Sequence, residues 1–227
     1  MPRACDVLDL YERVAKGRLA PGEVVFSADE KTSIQARQHA THTPTGAGEP
    51  AHVQHTYARR GAVNLIASLN VATGTVFGKV SARKTFREFA DFLVALITDA
   101  VEHGKHTIHL ILDNGSTHRP KYLETWLSEN FPHVNVIVHW LPVRSSWLNQ
   151  IEIFFGILQA QALTPNNFPS TVAAAERILG YIDFYNQGAH PIAWTYTSTD
   201  LQRKYGVSEV ISLPNSETPT ITPKMAA

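Results

Sequence analysis

Continuous and alternating runs of apolar residues along the chain both predict β-strands. The continuous runs at 23–30 (EVVFSADE) and 107–114 (TIHLILDN) end on polar residues, as strands buried on both faces often do. The segment 61–82 alternates on either side of Ala72-Thr73-Gly74, which predicts two antiparallel strands joined by a tight turn. A further apolar stretch at 134–142 predicts a fifth strand.

In other segments apolar residues recur at steps of three and four, and this spacing predicts α-helices. Helices are expected at 4–16, at 85–104, from Pro120 onwards, at 147–163 with Ser145 or Ser146 as the cap, and at 171–186. Residues 36–60 show no period, so we expect a long loop there. The order of these elements predicts an α/β domain in which a five-stranded mixed sheet carries helices on both faces.

The composition predicts one well-buried domain, because 44% of the 227 residues are hydrophobic and 18% are charged. We expect a docking helix at 1–20, the main domain at 21–205 and a frayed tail at 206–227. The single cysteine, Cys5, excludes an internal disulfide framework and fits a reducing compartment. No apolar run reaches the length of about 18 residues that a membrane span needs, so we expect a cytoplasmic protein.

Acidic residues stand where two predicted strands end and on one predicted helix. If the strands that end at Asp29 and Asp113 are parallel neighbours, both carboxylates face the crevice at the strand ends. Glu152 shares a helical face with Leu148 and Phe155, where a charge normally needs a partner or a metal ion. Any one of the three also fits a plainer interpretation, a turn-capping acid or a solvated helix residue.

Three converging carboxylates would suit Mg²⁺ or Mn²⁺, which prefer oxygen ligands in octahedral geometry. Two such ions about 4 Å apart can activate an attacking oxygen and stabilise a leaving oxygen in phosphodiester displacement. The sequence therefore predicts phosphoryl transfer. The balance of 20 basic and 20 acidic residues counts against unaided binding of a polyanion.

The amino-acid sequences of five stretches resemble, in the same order, those of the catalytic domain of transposases in the bacterial insertion-sequence branch of the mariner superfamily. The resemblance covers about residues 4–201. It is carried by SADEKTSIQA (27–36), YARRGAVNLIASLNVATG (57–74), LILDNGSTHRP (110–120), LPVRSSWLNQIEIFFGIL (141–158) and FYNQGAHPIAWTYT (184–197).

This resemblance implies a ribonuclease H-like fold and a DDE triad of Asp29, Asp113 and Glu152 that binds two Mg²⁺ or Mn²⁺ ions. The interval of 39 positions (152 − 113) is slightly longer than is usual in the family. Implied partners are double-stranded DNA, cut at terminal inverted repeats and joined to a TA target, and a second copy in a homodimer. The helix-turn-helix module of such transposases is missing here and is expected in the same or another chain, with a nucleoid-associated location.

Basic residues and one histidine near the expected crevice are candidates for DNA contacts. They are Lys31, Arg59, Arg60, Lys84, His118, Arg119 and Lys121. The plainer interpretation is that they are exposed charges that serve solubility, and that His118 caps a helix.

Three alternatives stay open from the sequence. The chain could be an inactive transposase remnant that dimerises or binds DNA, or a ribonuclease H-like nuclease that acts on RNA through the 2′-hydroxyl. His39, His42, His52 and His55 could form a zinc site, although all-histidine structural sites are uncommon and a solvated loop is the favoured interpretation.

Overall fold

A computed structural model describes residues 2–39 and 56–205 of the chain. Twelve elements follow one another in these ranges: α1 (Pro2–Ala15), β1 (Glu23–His39), β2 (Tyr57–Asn70), β3 (Val76–Ser81), α2 (Phe86–Glu102), β4 (Thr107–Leu112), α3 (Pro120–Asn130), β5 (Asn135–Trp140), a 3₁₀ turn (Ser146–Leu148), α4 (Ile151–Gln161), α5 (Thr171–Gln187) and α6 (Ser198–Tyr205). None of the described helices combines the length and the apolar character that crossing a lipid bilayer requires.

The five strands form one mixed sheet in the order β3-β2-β1-β4-β5. β2 pairs antiparallel with both β1 and β3, whereas β4 pairs parallel with both β1 and β5. The predicted mixed sheet is therefore confirmed. The parallel pairing of β1 with β4 ends at Ser27 and Ile111, so the residues that follow these two lie close together at the same end of the sheet. β4 stops there, whereas β1 continues to His39 along β2.

Helices cover both faces of the sheet, as the sequence predicts. On one face α2 and α3 pack Phe89, Phe92 and Leu123 against Phe26 and Leu110 of the central strands. The other face packs against α1, α4, α5 and α6, whose buried side chains include Leu8, Phe154, Ile178 and Leu201. This double covering is the reason why β1 and β4 have continuous apolar sequences instead of alternating ones.

The prediction of a loop at 36–60 is wrong at both of its ends. Residues 36–39 belong to β1 and residues 57–60 to β2, with Arg37 opposite Arg59 and His39 opposite Tyr57. This part of the hairpin is mostly polar and largely not buried, so it lacks the apolar alternation that marks a strand. Residues 40–55 lie outside the described ranges.

The predicted helix over 147–163 is interrupted. Residues 146–148 form a 3₁₀ turn, Asn149 is extended with ψ of 104°, and α4 begins only at Ile151. Neither serine was correctly predicted as a cap, because Ser145 accepts no side-chain cap hydrogen bond and Ser146 lies inside the turn. α6 was not predicted from the sequence, because this eight-residue helix buries only Leu201 and so has no apolar stripe. The helices predicted at 4–16, 85–104, Pro120 and 171–186 are confirmed.

Candidate active site

Asp29 and Asp113 lie side by side where the parallel pairing of β1 with β4 ends. The sequence predicted that the first strand ends at the acids, but Asp29 lies within β1, paired with Ala67 of β2. Asp29 is 8% exposed, and Asp113 is half-buried one residue beyond β4. Ligand atoms of Asp29, Asp113 and His118 all lie within 4.8 Å of one another. Carboxylate oxygens at this separation suit a hard divalent cation such as Mg²⁺ or Mn²⁺.

Both oxygens of the Asp29 carboxyl group have donors. The backbone N–H of Glu30 donates to Oδ1 at 2.8 Å, and Nδ2 of Asn149 donates to Oδ2 at 3.1 Å. Burial and the nearby charge of Asp113 raise the pKa of Asp29 to about 7. The group is thus held in one orientation and changes its charge near neutral pH.

Asp113 has the opposite electrostatic environment. Its Oδ1 accepts a hydrogen bond from the Gly115 backbone N–H at 2.8 Å and lies 2.8 Å from His118 Nδ1. The His118 hydrogen bond lowers the pKa of Asp113. A Cβ atom on residue 115 would lie 2.9 Å from Oδ1, so a larger residue in this turn would displace the Asp113 carboxylate.

His118 is completely buried and links two carboxylates. Its Nε2 lies 3.2 Å from Oε2 of Glu30, its other nitrogen faces Asp113, and its ring lies 4.5 Å from that of Phe89. Burial by itself lowers the pKa of His118, but the two carboxylates outweigh it and raise that pKa to about 10. The imidazole is therefore charged at neutral pH and holds Asp113 from the α2 side of the sheet.

This burial corrects the expectation that His118 contacts DNA. A side chain with 0% exposure has no surface to offer a phosphate. Its partner Glu30 was not among the predicted site residues, although the strand pattern carries a signal for it. Neighbouring residues of a strand point to opposite faces, so Glu30 had to point away from Asp29, toward α2.

Glu152 lies in the first turn of α4, beside the two aspartates. Ile151, Phe154 and Phe155 are buried, while Glu152 itself is exposed, so it stands next to the apolar stripe and not within it. Partial burial of its carboxyl group raises the pKa of Glu152, Lys31 opposes this shift, and Asp113 adds to it. Within the described residues, the tight cluster of ligand atoms comprises Asp29, Asp113 and His118 and does not include Glu152.

The structure thus brings together two of the three predicted acids tightly and the third more loosely. Leu148, which was expected to share a helical face with Glu152, lies in the preceding 3₁₀ turn instead. All three acids offer carboxylate oxygens, and the single histidine of the cluster is tied to Glu30 and Asp113. This donor set fits Mg²⁺ or Mn²⁺ better than zinc.

The predicted DNA-contacting residues fall into separate regions. Lys84, Arg119 and Lys121 are exposed. The Arg119 guanidinium lies 5.6 Å from the ring centroid of Phe86, and this contact brings the start of α2, which follows Lys84, next to the start of α3, which contains Lys121. We call these three residues the basic cluster. Lys31 is close enough to affect Glu152 electrostatically.

Arg59 and Arg60 lie much farther from the aspartates. Arg59 is paired with Arg37, which is eight residues beyond Asp29 on β1 and hence roughly 26 Å away along the strand. Of the four histidines weighed as a zinc site, His39 ends β1 with its ring 5.8 Å from Tyr57. His42, His52 and His55 lie outside the described residues, so the zinc hypothesis stays untested.

Comparison with known proteins gives a family and a fold. Residues 24–173 match the family described as DDE superfamily endonuclease, while no curated protein matches the chain. Similar solved structures include the Mos1 transposase paired-end complex with left transposon end, with a TM-score of 0.54 and 14% identity over 82% of this chain and 57% of that one. A pre-cleavage Mos1 transpososome has a TM-score of 0.53, with 14% identity over 84% and 56% of the two chains.

The Mos1 Strand Transfer Complex is similar to the same degree, with a TM-score of 0.52 and 14% identity over 83% of this chain and 56% of that chain. At this identity the likeness concerns the fold, which is ribonuclease H-like. The chain spans a little over half the length of these Mos1 chains.

Proposed function

Because the chain belongs to the DDE superfamily of endonucleases, we propose that it is a transposase catalytic domain of the bacterial insertion-sequence branch of the mariner superfamily. In this proposal it cleaves DNA strands at element ends and joins them to a target. The observation that carries the proposal is the convergence of Asp29 and Asp113 from adjacent parallel strands, with Glu152 beside them.

The three acids would hold two Mg²⁺ or Mn²⁺ ions. Such ions, when bound, would activate the oxygen of the attacking nucleophile and stabilise the oxygen that leaves the phosphodiester. Asp29 and Asp113 are oriented by their own hydrogen bonds before any ion binds, so they would form the fixed part of the site. Glu152, exposed at the start of α4, would complete the metal site and would be the acid whose side chain changes position when the ions bind.

Double-stranded DNA would approach across the exposed end of the sheet. Lys31 is adjacent to Glu152 and would contact a phosphate close to the scissile bond, and the basic cluster would hold phosphates on the Asp113 side. Arg59 and Arg60 would reach the same duplex only at a distance from the reacting bond.

The assembly implied by this function has further parts. The DNA would carry terminal inverted repeats and a TA target dinucleotide, and two copies of the chain would handle two ends. A helix-turn-helix module in the same or another chain would recognise those ends. Residues 1–20 would serve as the docking helix, 21–205 as the catalytic domain and 206–227 as the tail.

The experiment uses a duplex made from the inverted repeats that flank the coding sequence, pre-nicked at the 3′ end of the element, with Mg²⁺ or Mn²⁺. We expect strand-transfer product from the wild type and none from Asp113→Asn or Glu152→Gln. Asp91→Asn, which changes an exposed acid on α2, is the matched control and should keep wild-type yield.

The outcomes separate the rival functions. Equal product from the wild type and Asp113→Asn would contradict the proposed site. A wild type that binds the duplex and forms no product would indicate an inactive remnant that acts as a DNA-binding or dimerisation module. Cleavage of the RNA strand of an RNA–DNA hybrid, with DNA left intact, would indicate the ribonuclease alternative.

A further inference from the structure

Asn149 connects the first acid of the site to the helix that carries the third. Its side chain is 1% exposed, and Nδ2 donates to Oδ2 of Asp29 at 3.1 Å and to the Ala28 carbonyl at 3.1 Å. Its Oδ1 accepts a hydrogen bond from the Ser27 hydroxyl. Both donors of this amide and its oxygen therefore bind three consecutive residues of one strand, Ser27, Ala28 and Asp29.

The same residue also sets the start of α4. The backbone carbonyl of Asn149 accepts from the Glu152 N–H at 3.1 Å, and Ser27 Oγ accepts from the Ile151 N–H at 3.1 Å. The preceding turn is held by the Tyr11 hydroxyl, which donates to the Leu148 carbonyl at 2.7 Å. The break in the predicted helix is thus a fixed joint between β1 and α4.

We infer that Asn149 is a positioning residue for the metal site, an inference that rests on the proposed function. The neutral amide of Asn149 occupies one lone pair of Asp29 Oδ2, and the Glu30 N–H occupies one of Oδ1, so each oxygen keeps a lone pair for a cation. Through its backbone carbonyl, Asn149 also fixes the helical turn from which Glu152 projects. Asn149 therefore sets both the orientation of Asp29 and its separation from Glu152.

The test is calorimetric titration of Mn²⁺ into the full chain. Removal of a residue that orients a metal ligand typically costs about tenfold or more in metal affinity, so Asn149→Ala should bind Mn²⁺ about tenfold more weakly than the wild type. Strand transfer by this variant should need correspondingly more Mn²⁺ for half-saturation and should recover at saturating Mn²⁺.

Asn186→Ala is the matched control. The Asn186 amide also hydrogen-bonds to a strand of the sheet, accepting from the Val76 N–H and donating to the Val76 carbonyl at 2.8 Å each, but it ties α5 to β3, away from the acids. Both variants lose side-chain hydrogen bonds to a strand of the sheet, buried for Asn149 and partly buried for Asn186, and only Asn149→Ala should lose Mn²⁺ affinity. A purely structural role for Asn149 would make the two variants behave alike.

The possible failures are distinguishable. Wild-type Mn²⁺ affinity in Asn149→Ala, or an equal loss in Asn186→Ala, would overturn the positioning role and leave the proposed function intact. A wild type that binds no Mn²⁺ would overturn the proposed function and the positioning role with it. If Asn149→Ala does not unfold cooperatively, Ser27→Ala provides the test. This variant removes the hydrogen bond to the side-chain oxygen Oδ1 of Asn149, so it should also weaken Mn²⁺ binding. Unchanged Mn²⁺ binding in Ser27→Ala would overturn the inference.

Discussion

Asp29 and Asp113 are neighbours with the same chemistry, yet their surroundings push their pKa values in opposite directions. Asp113 faces the charged imidazole of His118, which lowers its pKa, whereas the side chain that donates to Asp29 is the neutral amide of Asn149. Burial and the Asp113 charge then raise the pKa of Asp29 to about 7. The metal-free site thus holds one ionised carboxylate and one carboxyl group that is half protonated near neutral pH.

We predict that Mn²⁺ affinity rises with pH up to about 7 and then levels off. Below the pKa of Asp29 the ion has to displace a proton, so each pH unit lost should weaken binding about tenfold. Titrations at pH 6 and pH 8, in buffers of different ionisation enthalpy, should detect the release of about one proton at pH 6 and little at pH 8. Affinity that is the same at both pH values would contradict this prediction.

A second prediction concerns the buried ion pair of His118 and Glu30. In His118→Gln the Glu30 carboxylate, 7% exposed, loses its cation, and breaking such a buried pair should cost about 3 kcal/mol of unfolding free energy at pH 7. Urea unfolding measures this loss. The double variant Glu30→Gln/His118→Gln should recover part of it, because the uncompensated charge of the buried Glu30 carboxylate is then removed. A single-variant loss below about 1 kcal/mol would show that the pair behaves like a surface pair.

At the scale of elements, the parts that the sequence could predict are those determined by their own apolar pattern. The continuous runs before Asp29 and Asp113 identify β1 and β4 because both faces of these strands are covered. The outer part of the β1–β2 hairpin and the break at Asn149 could not be predicted in this way. They depend on contacts made across the fold, such as the pairing of Arg37 with Arg59 and the bonds from Asn149 to Asp29.

The turn between β2 and β3 offers a prediction at this scale. Gly74 has φ of +77°, and a Cβ atom there would lie 1.9 Å from the His190 carbonyl oxygen of the segment after α5. Gly74→Ala therefore combines backbone strain with a collision, and we expect a loss of about 3 kcal/mol in urea unfolding. Gly17 has a similar φ of +62° with no atom within 4 Å, so Gly17→Ala should lose only about 1 kcal/mol. Equal losses would mean that the contact with His190 is unimportant.

At the scale of the whole molecule, the positions of the basic residues matter more for DNA binding than the net charge of the chain. The chain has 20 basic and 20 acidic residues, so any attraction to DNA has to come from local groups. The basic cluster follows β3 and β4 in the chain and lies at the end of the sheet that carries the two aspartates. Three other basic residues precede β1 and β4 and lie at the opposite end of the strands: Lys16, Arg18 and Lys105. The sequence could nominate the basic residues, but only the strand order separates these two groups.

This separation gives a prediction about the salt dependence of DNA binding. Each phosphate contact adds about 0.9 to the magnitude of the slope of log K against log salt concentration, so the triple variant Lys84→Ala/Arg119→Ala/Lys121→Ala should reduce that magnitude by up to about 3. Fluorescence anisotropy with a labelled duplex at increasing NaCl measures the slope. The triple variant Lys16→Ala/Arg18→Ala/Lys105→Ala removes the same net charge from the opposite edge and should leave the slope almost unchanged. Equal reductions in both variants would mean that DNA responds to the total charge of the chain, and the basic cluster would then not be a binding site.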